Sequence, residues 1–136
     1  MKKIIFLNLA FLFLMCCFQG SAQTVKKEVR NSVPAKIEAY YFHNTARCVT
    51  CKTVEAEAKA DLESIYGNQV VFQSLNLEEE ATKPIADKLK VSGQTLLIVK
   101  GEKQINLTNE GFMYARTNPE KFKSIIKTKV DKLLGQ

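Results

Sequence analysis

Histidine occurs once in these 136 residues, and no apolar run reaches the length of a membrane span. The single histidine bears on metals. His43 with two cysteines makes three ligands, whereas a closed zinc site normally takes four from protein, so the chain alone does not supply a structural zinc site. Crossing a bilayer takes about 20 apolar residues. The longest apolar run, Ile4 to Phe18, is shorter and contains Asn8, which argues against a transmembrane anchor. No groove-reading motif accompanies the basic residues, so nucleic-acid binding finds no support. Internal repeats and low-complexity tracts are absent, and so is any flavin or nicotinamide fingerprint; no cofactor is expected.

What is present begins with a leader. Lys2 and Lys3 precede the apolar run, and Gly20-Ser21-Ala22 follows it. Charged start, apolar middle and small-residue end are the order of a secretory signal, here residues 1–22 with removal after Ala22. Export to the periplasm or another extracytoplasmic space is therefore expected. Cys16 and Cys17 raise a lipid anchor as an alternative, but the preceding slot would hold Met15 or Cys16 where a small residue is usual. Membrane contact is expected only through an uncleaved signal or such an anchor.

Without the leader, 18 basic residues of the original 20 face 14 acidic ones, a charge of +4. Much of it lies in PEKFKSIIKTKVDKLL, whose lysines read as the solvated side of an amphipathic helix. Cys48 and Cys51 are then the only cysteines left. In ARCVTCKTVE their spacing suits a metal, a crosslink or a reversible disulfide. An exported chain meets an oxidising compartment, yet a loop closed over two residues removes little unfolded-chain entropy and staples poorly. A chemical role explains the pair better.

Along the chain, residues 23–34 are polar and form a lead-in to a domain spanning 35–136. KIEAYYF at 36–42 is aromatic and β-branched and predicts a strand. From Cys48 to Tyr66, Val54, Ala58, Leu62 and Ile65 recur at helical steps, and Gly67-Asn68 closes the run. NQVVFQSLNL predicts an interior strand through Val70, Val71 and Phe72. EEEATKPIADKLKV predicts a second helix, with Thr82 as cap and Pro84 in the first turn. QTLLIVK and EKQINLT predict a hairpin about Gly101. NEGFMYARTN reads as a loop, and Asn118-Pro119 opens a last helix burying Phe122, Ile125, Ile126, Val130 and Leu133.

The order β-α-β-α-β-β-α, with CxxC opening the first helix, resembles the thioredoxin-like superfamily. YYFHNTARCVTCK is similar to its first strand and active-site turn, and IADKLKVSGQTLLIVKGEK to the segment entering the hairpin. More narrowly, FHNTARCVTC with a GF-x-x-A segment before the last helix resembles small exported thioredoxin-like proteins labelled nitrophenyl compound nitroreductase subunits. The resemblance implies an α/β fold with a central mixed four-stranded sheet flanked by helices. It also implies a thiol–disulfide oxidoreductase acting on protein thiols or disulfides with a redox partner protein. Cys48 would attack and Cys51 resolve, with Arg47 and Lys52 adding positive charge beside the thiolate.

Departures from the family pattern are specific. Tryptophan is absent from the chain, and Arg47, Val49 and Thr50 replace the Trp, Gly and Pro of Trp-Cys-Gly-Pro-Cys. The usual cis-proline slot holds Thr95 preceded by Gln94, the expected substrate-docking pair. The family's buried aspartate has Tyr41 or Phe42 in its place, leaving Glu55, one turn past Cys51, as the substitute proton carrier or a solvated helix residue. A metal-delivery module using Cys48, Cys51 and His43 is the alternative function. Phe112, Met113 and Tyr114 would border the cysteines or pack beneath their own segment.

Overall fold

A computed structural model describes residues 36–136 of the chain. The expected leader at 1–22, the lead-in at 23–34, and Cys16 and Cys17 lie outside the described residues. The elements are β1 (Ile37–His43), α1 (Val49–Tyr66), β2 (Val70–Asn76), α2 (Lys83–Leu89), β3 (Thr95–Lys100), β4 (Lys103–Asn106), α3 (Thr108–Tyr114) and α4 (Pro119–Leu134). Short 3₁₀ turns at Gly67–Gln69 and Glu80–Thr82 precede β2 and α2. No helix among the described residues is long and apolar enough to cross a membrane.

The sheet runs β2-β1-β3-β4. β1 pairs parallel with β2, β3 is antiparallel to β1, and β4 is antiparallel to β3. This is the mixed four-stranded α/β sheet flanked by helices that the sequence led us to expect, a thioredoxin-like arrangement. Side chains alternate across a strand, so β1 serves two cores. Ile37, Ala39 and Tyr41 face one, with Leu96 and Ile98 of β3, under Val54, Ala58 and Leu62 of α1 and Phe122, Ile126 and Val130 of α4. Tyr40 and Phe42 face the other with Leu97 and Val99, beneath Ala86 and Leu89 of α2. Each fully buried Leu, Ile or Phe here contributes roughly 1.5–3 kcal/mol. Being sandwiched on both faces is why β1 reads as a nearly unbroken apolar run.

Three expectations change. β2 is an edge strand, not an interior one, and of Val70, Val71 and Phe72 only Val70 is buried. Its apolar residues serve both cores: Val70 and Phe72 lie with the first cluster, and Leu75 packs against the second. Thr82 does not cap α2: its backbone is already helical and its side chain makes no capping bond, because the preceding 3₁₀ turn supplies the entry. The segment before the last helix is itself helical, as α3. Gly111 is buried where α3 crosses α1, and a Cβ there would stand 2.7 Å from Val54 Cγ1. Close approach, not a turn, is what requires glycine at that position.

The last helix starts as expected. Asn118 accepts a hydrogen bond from the Lys121 N–H at 3.1 Å and Pro119 takes the first helical position. Along α4, Lys121, Lys127, Lys129 and Lys132 are exposed. Lys123 is half-buried, with its ammonium 3.7 Å from Asp61 of α1.

Candidate active site

Cys48 is not inside the first helix but is its N-cap, with extended backbone at φ −74° and ψ 167°. Its sulfur accepts the Cys51 N–H at 3.3 Å. A cysteine in the place usually taken by serine or aspartate puts the thiol against amide groups that lack intrahelical acceptors. No acidic side chain occupies the first turn to compete for that positive end. Cys48 is exposed, while Cys51, one turn on, is 6% exposed. Both are free thiols.

The Cys48 thiol is held below its ordinary range, chiefly by the neighbouring Cys51 thiol and next by the Cys51 backbone N–H, with desolvation opposing. Arg47 and Lys52 are not among the causes. The Arg47 guanidinium is committed to the Glu55 carboxylate, both side chains being about a quarter exposed or less. Lys52 points outward and contributes its backbone N–H to the Cys48 carbonyl at 3.2 Å. The positive charge read from the sequence is thus largely spent elsewhere, and short-range hydrogen bonds act on the thiolate. Glu55 is neither a free surface residue nor an unpaired buried acid. It is a partly buried partner of Arg47.

Beneath Cys51 lies a network that the sequence did not reveal. The Cys51 thiol donates to Gln94 Oε1 at 3.3 Å. Gln94 Nε2 donates to the Tyr41 hydroxyl. That hydroxyl donates to the Cys51 carbonyl at 2.8 Å. Tyr41 occupies the place where an aspartate was expected to be missing, and burial foremost pushes its phenol up to about 12. It is therefore neutral at physiological pH and serves as a hydrogen-bonding group rather than a charge. The only sequence signals were an aromatic in the central strand and a glutamine before β3.

Gln94 and Thr95 enter β3 through trans peptide bonds, with none cis among the described residues. Thr95 pairs with Phe42 across the sheet and its hydroxyl donates to the Gly93 carbonyl at 2.9 Å. Both residues line an open groove of about 600 Å³ that runs to Gln104 and Asn106 of β4. On the other side, α3 approaches the cysteines. Arg116 Nη1 donates to the Thr50 hydroxyl between the two cysteines at 3.3 Å. Phe112 and Met113 are exposed at 38% and 58%, as is Val49 at 68%. Tyr114 is half-buried, with the Lys121 ammonium 4.2 Å from its ring centre.

His43 is not brought to the cysteines. Its Nδ1 lies 2.9 Å from the Asn44 carbonyl and its ring sits beside Tyr41. Among the described residues, no three of His, Cys, Asp and Glu gather as a metal would need.

No protein-family model matches the chain, and no curated protein is significantly similar to it. Solved structures do resemble it. The germline-specific thioredoxin Deadhead of Drosophila melanogaster is 18% identical, over 69% of this chain and 81% of that one, at a TM-score of 0.46. A thioredoxin of Wuchereria bancrofti is 16% identical, over 71% and 83%, at 0.43. A malarial protein is 20% identical, over 51% and 74%, at 0.40. Similarity of that degree carries no argument about chemistry, which rests on the cysteines themselves.

Proposed function

We propose that this chain is an exported thiol–disulfide oxidoreductase that exchanges electrons with protein thiols through a reversible Cys48–Cys51 disulfide. One observation carries the reading: an exposed N-cap thiol, lowered by hydrogen bonds, stands one helical turn above a buried second thiol. The thiolate, not the thiol, is the nucleophile. Cys48 sulfur attacks a partner disulfide, forming a mixed disulfide and releasing one partner thiolate. Cys51 then loses its proton and attacks Cys48 sulfur, which releases the second partner thiolate and closes the internal disulfide. Two electrons pass to the partner, and the reverse sequence oxidises a dithiol. Sulfur carries the electrons, so the scheme calls on no cofactor.

Export to the periplasm or another extracytoplasmic space rests on the leader pattern of residues 1–22. The resemblance to small exported thioredoxin-like proteins labelled nitrophenyl compound nitroreductase subunits fits that export. It brings no nitro chemistry, since the sequence shows no flavin or nicotinamide fingerprint. Gln94 and Thr95 are proposed to receive the partner's chain beside the groove they line.

The test pairs insulin reduction with trapping. Cys51→Ser should accumulate mixed disulfides through Cys48, resolvable by reductant, while Cys48→Ser traps none. Absence of both turnover and trapped species across reducing and oxidising poises would sink the proposal.

A further inference from the structure

Cys51 has one proton and two acceptors within reach, the sulfur of Cys48 and Oε1 of Gln94. Resolution of a mixed disulfide requires that proton to leave and the resulting negative sulfur to be stabilised where water has little access. Desolvated charge is costly unless a donor meets it. In the reduced protein Gln94 offers this sulfur only an acceptor. An amide, however, carries an acceptor and a donor at interchangeable positions.

We propose that Gln94 is a catalytic residue of the second half-reaction, turning its amide so that Nε2–H replaces Oε1 against Cys51 as the thiolate forms. The proposal rests on the oxidoreductase reading above. Tyr41 makes the turn possible. In the reduced state its hydroxyl accepts from Nε2 and donates to the Cys51 carbonyl. After the turn the same hydroxyl donates to Oε1. The Cys51 carbonyl, inside α1, keeps its intrahelical N–H donor four residues on. Every polar group therefore has a partner in both arrangements, as a buried site requires. Tyr41 stays protonated throughout, since burial holds its phenol high, so it remains a donor when the sulfur is charged. Apart from Cys48, the other ionisable groups acting on this corner, Arg47 and Glu55, are paired with each other. Gln94 comes from before β3 and Tyr41 from β1, so the register of those two strands sets the arrangement.

The test uses the full-length chain with C16S and C17S, so that only Cys48 and Cys51 react. The reduced protein is mixed with 5,5′-dithiobis(2-nitrobenzoate), an aromatic disulfide. Attack by Cys48 releases one coloured thiolate. Attack by Cys51 on the mixed disulfide releases the second, its proton passing to solvent. One stopped-flow trace gives both rates, and their ratio isolates resolution from nucleophilic attack. Q94E, which offers acceptors only and places a carboxylate beside the sulfur, should lower the ratio of second to first rate at least tenfold. Q94M, similar in length but without a donor, should lower it about three- to tenfold. Y41F should lower it a few-fold, and should change nothing further in a Q94M background, because Tyr41 acts through the amide. Ratios within twofold of the unsubstituted protein in Q94E and Q94M would overturn the role of Gln94. A further drop when Y41F is added to Q94M would overturn the positioning role of Tyr41. A first release no faster than that of an unfolded-chain thiol would instead overturn the oxidoreductase reading itself.

Discussion

Replacing Gly111 by alanine should destabilise the domain, and the same replacement should stabilise it once Val54 is alanine. The sign change follows from the α1–α3 crossing. A Cβ on Gly111 would lie 2.7 Å from Val54 Cγ1, 3.4 Å from Phe122 Cζ and 3.5 Å from Val54 Cγ2. Carbon atoms pack best at about 3.5–4.0 Å, so the first contact falls short by about 1 Å. Val54 is fully buried and β-branched, with one strongly preferred helical rotamer, so the strain passes to the helix backbones. Overpacking of this kind costs about 1–3 kcal/mol. Against it, alanine gains about 0.8–1 kcal/mol over glycine within a helix. The contact wins, leaving a net loss of about 1 kcal/mol.

Val54→Ala removes both offending carbons at a cost of about 2 kcal/mol, the order expected for a buried truncation. In that background the new methyl meets space instead of Val54, the helix gain is retained, and the double variant should be the more stable of the two that carry alanine at 54. Urea unfolding of the four proteins at unchanged slope gives the coupling, expected at about 2 kcal/mol. Coupling below about 0.5 kcal/mol would refute the claim that this seam is packed too tightly for a side chain. The seam matters for the site, because Arg116 just beyond α3 holds Thr50 between the two cysteines.

Three further outcomes are expected. Iodoacetamide should modify Cys48 with a midpoint below the ordinary thiol range, because its hydrogen bonds favour the thiolate, and should modify Cys51 far more slowly; rates against pH, resolved by peptide mass spectrometry, check both. Asp61→Asn should stabilise the fold at pH 7 by about 1 kcal/mol, since it keeps the side chain's shape but removes a buried negative charge, one of whose oxygens, Oδ2, has no partner. Burial foremost raises the Asp61 carboxyl, aided by Glu57 and Glu120 and opposed by Lys123. A raised acid favours the fold below the ordinary carboxylate range and loses that contribution as pH rises through its folded value, so the gain from asparagine should shrink towards pH 3 in urea titrations. Asn118→Ala should cost about 0.5–2 kcal/mol by loss of the α4 cap, read from the shift in urea midpoint.

Signals that act over one turn or one strand were legible in the chain. Val54, Ala58 and Leu62 announced the buried face of α1, Asn118-Pro119 announced the start of α4, and the aromatic and β-branched run of β1 announced a strand. The CxxC could be placed at the head of a helix for the same reason: its environment is set by amide groups within four residues. At Thr82 the local 3₁₀ turn overrode the capping rule, while at Gly111 and Arg47 a side chain from beyond the segment did so. The segment holding Gly111 reads as a loop because nothing near it in sequence shows Val54, 57 residues earlier, filling the space a Cβ on Gly111 would take. Arg47 was assigned to the thiolate because charge can be counted in a sequence, but Glu55 claims its guanidinium.

By itself, then, the sequence settled the identity and spacing of the two sulfurs, the helix they open and the order of the elements apart from α3, since each depends on backbone geometry repeating every two or 3.6 residues. Tertiary structure alone decided that β2 lies at the edge, that Cys51 is covered while Cys48 is not, and that Tyr41 and Gln94 meet beneath the buried thiol. Those partners stand 10 and 43 residues from Cys51. Only the register of β1 against β3, fixed by burying apolar side chains on both faces of the sheet, brings their polar ends within hydrogen-bonding distance.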